Sequence, residues 1–273
     1  MKMSRSKLLV LEAVMLLVSL LILIPLLIMI LGSFKTSGEA QSFNLQLPKV
    51  WQFENYVTVF KEGGMGTAFK NSLIVTILGV ALTVMMAALC SFVLARKSTR
   101  FTKGLYGFML LGMIAPFSVV PTISLIQMLN LSGTYIGVIF IYVGINVSYS
   151  TFIFTGFIKS VPRELDEAAI VDGCGPYRMF IRVILPLLQP VLVTNVIIVT
   201  MAIWNDFMIP LYFFNSVSKW TLPLTVYNFF GQYASEWNLV FADLVLTALP
   251  VVLVYFWGQK YIVSGMTAGA VKG

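Results

Sequence analysis

Apolar residues run in six long blocks along the chain, at about 8–31, 72–94, 105–128, 135–157, 187–212 and 239–258. Each block is about 20 residues or slightly more, the length a helix needs to cross roughly 30 Å of hydrocarbon. Backbone groups left unpaired in lipid cost several kcal/mol, so spanning segments of this length are helices. The period-2 alternation of an outer-membrane barrel is absent. The pattern predicts an all-α integral membrane protein with six transmembrane helices. Pro116 and Pro121 interrupt the third block and predict a kinked or locally opened helix. Pro250 falls in the sixth.

Composition agrees with the pattern. Of 273 residues, 59% are hydrophobic and only 11% charged, against about 25% charged in soluble domains. Histidine is absent, which removes imidazole catalysis and most zinc-site designs. Cys90 and Cys174 both fall towards the reducing side of the topology derived below, so no disulfide is expected. The first block, Leu8 to Leu31, is interrupted only by Glu12 and exceeds a signal-peptide core of about 7–15 residues. A retained first span is the expectation.

The net charge of +7 serves as a topology signal rather than a sign of nucleic-acid binding. With the N-terminus in the cytoplasm, 13 of the 18 Lys and Arg residues fall in inside segments and 5 outside. This bias predicts that both termini are cytoplasmic. The expected organisation is a cytoplasmic N-terminus (1–7), a six-span domain (8–258) and a cytoplasmic tail (259–273). The long outside segment, about 32–71, carries an amphipathic piece at Phe53-Glu54-Asn55-Tyr56 and beyond. The segment 213–238 is rich in aromatics: Trp220, Tyr227, Phe229, Phe230, Tyr233 and Trp237 suit an interfacial belt. Polar residues inside the blocks, Asn146 in the fourth, Asn195 in the fifth, and Asn205 with Asp206 at its outer end, are candidates for a solute path or a contact with another subunit.

The most charged stretch is 160–186, with Arg163, Glu164, Asp166, Glu167, Asp172, Arg178 and Arg182. Ser160 suits a helix cap, Pro162 a first turn, and the acidic residues the positive helix end. Gly173 and the following Cys-Gly-Pro stop that helix, and Pro176 starts a second over about 177–185. Ala168 and Ala169 are small enough to let another protein approach the backbone. These signals suit an ordinary solvated loop as well as a docking surface.

Glu167-Ala168-Ala169, three residues, Gly173, nine residues, then Val183-Ile184-Leu185-Pro186 resembles the EAA loop of ABC importer permeases. Val183 stands where isoleucine is usual. Asn71-Ser72, Trp204-Asn205-Asp206-Phe207 with Pro210-Leu211, and the ending Gly265 to Gly273 resemble permeases of the maltose and multiple-sugar type. The resemblance covers nearly the whole chain. It implies the six-span half of a sugar importer, an oligosaccharide importer by preference, in a bacterial or archaeal inner membrane. The partners would be a second homologous permease, an ATPase dimer, an extracytoplasmic solute-binding protein, the sugar and membrane lipid, with no nucleic acid. The EAA loop would be a coupling helix seated on the ATPase. Glu167, Ala168, Ala169, Asp172 and Gly173 would carry that coupling, with Gly173 as the bend.

No metal or cofactor is expected on this chain, since ATP and Mg would sit on the ATPase; no GxxxxGK[ST] pattern occurs. The protein would therefore not be an enzyme by itself. Two other classes stay open. An ion-coupled secondary transporter would need repeats and a buried ionisable relay. A membrane scaffold would have partners other than an ATPase and no solute path.

Overall fold

The computed structural model describes residues 5–231 and 235–270, with side chains described between residues 8 and 259. Tyr233, one of the expected belt aromatics, lies outside the described residues. The described chain is helical almost throughout. In order it forms α1 (Arg5–Gly32), α2 (Ser37–Ala40), α3 (Glu54–Glu62) and α4 (Met65–Arg96). Then come α5 (Arg100–Ile114), α6 (Val119–Met128) and α7 (Tyr135–Ser160). The charged stretch forms α8 (Glu164–Val171) and α9 (Pro176–Met179), a π-helical turn over Phe180–Ile184, and α10 (Leu185–Leu187). The chain ends in α11 (Gln189–Trp204), α12 (Met208–Phe213) and α13 (Trp237–Ala270). Among the described residues, four helices are long and apolar enough to cross a membrane, or five if a bent pair is one span. The bent pair is Pro176–Leu187 with Gln189–Trp204, which turn by 77°.

Two expected blocks are broken where their sequence says they should be. Pro116 has no N–H to donate and forces Ala115 out of the helical region, to φ −63°, ψ 128°. The third block therefore splits into α5 and α6. Pro121 does not break α6, because it lies in its first turn, where an N–H has no partner anyway. The fifth block ends its first helix at Trp204 and resumes as α12 after a turn at Asn205–Phe207. The helix of the sixth block continues beyond its apolar run, through Gln259 to Ala270.

The chain divides into two compact units, Met1–Ala68 with Leu222–Pro250, and Phe69–Thr221 with Val251–Gly273. In the first, α1 is exposed along nearly its whole apolar length, as befits a helix with no polar face. Beyond α1, the segment that follows is ordered by polar bonds. Asn55 in α3 is buried and donates to the carbonyls of Ser33 and Lys35, and Asn238 donates to its Oδ1. The Asn of Phe-Glu-Asn-Tyr is thus a structural link within the segment. Phe229, expected in a belt, is instead buried, whereas Phe230 and Tyr227 are exposed.

The second unit holds the larger core, with Phe154, Ile158, Ile184, Leu188 and Val199 almost fully buried. Helices in lipid gain nothing from leaving an apolar solvent, so close contact between backbones must hold them together. Small residues permit it: Ala87 and Ala88 of α4 are buried, and a Cβ on Gly112 of α5 would lie 2.9 Å from Ser148 Oγ of α7. At the break between α5 and α6, an apolar cavity of about 410 Å³ opens against Phe140, Ile141 and Gly144 of α7.

Candidate functional site: a bent helix pair anchored to the membrane bundle

The expected two-helix projection at 160–186 is present, with corrected boundaries. Ser160 does not cap α8. It is the last residue of α7, and its hydroxyl donates to the Phe157 carbonyl. The residue preceding α8 is Arg163, without a side-chain cap bond, and Glu164, Asp166 and Glu167 fill the first turn at the positive helix end.

The bend at Gly173 has a defined chemistry. The Gly173 N–H donates to the Ile170 carbonyl at 2.9 Å and the Cys174 N–H to the Ala169 carbonyl at 2.9 Å. This pair of bonds closes a helix through a left-handed residue, and Gly173 has φ +75°. A Cβ here would touch nothing, so the demand for glycine is purely conformational. Gly175 and Pro176 then start α9 with the proline in its first turn. The second helix is not regular: its next turn is π-helical over Phe180–Ile184 and runs on past Pro186 to the 77° bend.

Each helix has an inner and an outer side. Ala169 faces its own chain at 6% exposure, so only Ala168 of the two alanines lies on the open surface. Met179, Phe180 and Ile184 are buried, with the Phe180 ring 5.6 Å from Phe92 of α4. Outward lie Ile170, Val171, Tyr177 and Ile181, with Val171 87% and Tyr177 84% exposed. Glu167, Asp172 and Gly173 are exposed beside them.

Arg96, the last residue of α4, holds the pair in place. Its Nη1 donates to the carbonyls of Ile158 and Val161 at 3.1 and 3.2 Å, and its Nη2 to Asp166 Oδ1 at 3.2 Å. Its Nε forms an ion pair with the other carboxylate oxygen, and both side chains are nearly buried. The free cysteines, Cys90 and Cys174, are each half-buried.

The four polar candidates inside the blocks separate. Asp206 accepts from the Tyr142 hydroxyl at 2.9 Å and from the N–H groups of Met208 and Ile209, closing the first turn of α12. Asn146 donates back to the Tyr142 carbonyl in its own helix. Asp206 and Asn146 therefore touch Tyr142 at different atoms, its hydroxyl and its backbone carbonyl. Asn195 is 1% exposed and makes no hydrogen bond to either, while Asn205 is exposed at the turn. Among the described residues, no cluster of His, Cys, Asp or Glu could hold a metal ion.

The long apolar helices define an all-α integral-membrane fold. The chain belongs to the family of binding-protein-dependent transport system inner membrane components, whose model matches residues 79–268. It is the permease component of an ABC-type importer, a transport subunit rather than an enzyme. It is 35% identical to the protein named "Probable starch degradation products transport system permease protein AmyC" of Thermoanaerobacterium thermosulfurigenes, over 94% of each chain. It is 34% identical to the multiple sugar-binding transport system permease protein MsmG of Streptococcus mutans, over 89% of each. Its fold matches the crystal structure of a bacterial ABC transporter involved in the import of the acidic polysaccharide alginate, with TM-score 0.82 at 20% identity, over 96% of this chain and 99% of that one. Membership of this family displaces the secondary-transporter and scaffold readings.

Proposed function

We propose that this chain is one half of the membrane portion of an ATP-driven sugar importer, and that residues 160–186 dock a cytoplasmic ATPase. The sugar class follows the names of its relatives, which concern starch products, multiple sugars and arabino-oligosaccharides. The six-span domain, 8–258, comprises α1, α4, α5 with α6 as one broken span, α7, α11 with α12, and α13. Both termini are cytoplasmic, in agreement with the Lys and Arg bias, and the end of α13 lies along the ATPase dimer. A second homologous permease completes the path, and a solute-binding protein delivers the sugar from outside. ATP and Mg sit on the ATPase.

The observation that carries this reading is the exposed apolar face of Ile170, Val171 and Tyr177 beside Glu167, Ala168 and Asp172, on a helix pair fixed to the bundle. Glu167 orients the loop, Ala168 permits close approach, Ala169 seats α8 on its own chain, and Gly173 makes the bend. Closure of the ATPase around ATP moves the pair, and the helices anchored to it shift between two packings. Asn205 is the polar candidate open to the partner permease or the solute. Asp206 acts behind it by holding α12 to α7 through Tyr142, and Asn146 and Asn195 belong to the helices that form the path or the permease interface.

The test is gentle solubilisation from the native membrane followed by mass spectrometry of what remains bound. An ATPase and a second permease with its own EAA-like loop are expected. Recovery alone or as a homodimer, in a detergent that keeps a known ABC importer intact, would overturn the proposal.

A further inference from the structure

We infer that Arg96 is the positioning residue through which the docking loop and the membrane helices move as one body; the inference rests on the coupling role proposed for residues 160–186. Three elements meet on its guanidinium. Arg96 belongs to α4, its Nη1 holds the last carbonyls of α7 at Ile158 and the following Val161, and its Nε and Nη2 hold Asp166 in the first turn of α8. No backbone element ties α8 to α4 directly. The two are 70 residues apart, and along the chain α8 follows α7 after the short turn Val161–Arg163.

A free turn of three residues would let α8 pivot under load. A guanidinium fork with four contacts to two carbonyls and a carboxylate does not. The cation also lies at the negative end of α7, which favours it there. Both partners are shielded, with side chains 12% and 13% exposed, so water and salt compete weakly for them. A force applied to α8 by a partner is therefore delivered to α4 and α7 through this directional link. Phe180 against Phe92 supplies a second, apolar tie for the following helix, but it carries no directional bond.

The test uses the complete importer in proteoliposomes and reads sugar taken up per ATP hydrolysed. That ratio does not depend on how much complex is folded, so a merely structural role would leave it unchanged. Arg96→Gln and Asp166→Asn are each expected to lower it by about fivefold or more, with ATP hydrolysis retained. The double variant should match the single ones, because both remove the same link. Arg96→Lys keeps a cation for Asp166 but not the fork, and should lose about two- to threefold. If Arg96→Gln does not assemble, Asp166→Asn and Arg96→Lys carry the test. Unchanged ratios in the single variants, or losses that multiply in the double, would overturn the inference. A wild-type preparation that recruits no ATPase would instead overturn the coupling reading beneath it.

Discussion

The two ends of α4 and α7 in the larger unit use polar residues in opposite ways. At the end marked by Asn71 and Tyr135, Asn71, Lys219 and Asp206 are committed inward, with Asn205 left open beside them. Asn71 donates to the carbonyls of Ser218 and Trp220 and accepts from the Tyr135 hydroxyl. Lys219 donates to the Gly133 carbonyl and lies over the Tyr135 ring. Asp206 closes α12 and receives Tyr142. At the end marked by Arg96, one shielded pair does the holding, while Glu167, Asp172 and the apolar Val171 and Tyr177 are left open. A polar residue near a membrane helix is thus no sign of function by itself. What separates the two ends is whether the residue's bonding capacity is already used within the chain.

The largest effect that would break this comparison is at Asp206. Asp206→Ala removes a charged acceptor from two N–H groups and a tyrosine hydroxyl, and bonds to charged groups are worth about 1.5–3 kcal/mol each. A stability loss of about 3 kcal/mol is expected by thermal unfolding in detergent, with sugar uptake per folded complex unchanged. Lost uptake at unchanged stability would move Asp206 from the holding set to the solute path.

Gly173→Leu should behave in the reverse sense. A non-glycine residue in the left-handed region costs about 1–2 kcal/mol, and nothing else crowds the site. The native bend is then populated about 5–30-fold less often. The protein should insert normally, hydrolyse ATP in complex and import poorly. Normal coupled uptake would remove the bend from the mechanism.

The alanine pair sharpens the point within one helix. Ala168→Trp lies on the open face and should leave folding intact while weakening recovery of the ATPase. Ala169→Leu overfills a buried position and should cost about 1–3 kcal/mol of stability. Equal effects of the two would mean that α8 has no distinct inner side.

How much of this was readable from sequence follows the range of the interaction. The stop at Gly173, the start at Pro176 and the break before Pro116 are set by residues within a turn of the event, so the chain announces them. The Arg96–Asp166 pair and the Tyr142–Asp206 bond join residues 70 and 64 positions apart, and no local signal names such partners. Arg96 read as one more basic residue at a membrane edge, and Asp206 as an ambiguous acid near Pro210. The inward turn of Ala169 is likewise invisible, because the identity of an alanine does not say which side of its helix is covered. The tail's glycines and small polar residues argue against a span but not against a helix, and α13 continues through Ala270.

The smallest expected effect is the most direct probe of the open face. Tyr177 is 84% exposed and no hydrogen bond is seen from its hydroxyl, so Tyr177→Ala should change the stability of the isolated permease by no more than about 0.5 kcal/mol. Exposed aromatics that become buried at an interface are where binding energy concentrates, and truncating one costs about 1–2 kcal/mol or more. The affinity of the permease pair for the ATPase should fall about fivefold or more, measured by titration of the purified components. Arg182, exposed on the following turn, supplies the control: Arg182→Ala should alter the salt dependence of association more than its strength. If Tyr177→Ala binds as tightly as the wild type, the apolar face of Val171 and Tyr177 belongs to lipid, and only the charged residues of the loop meet the ATPase.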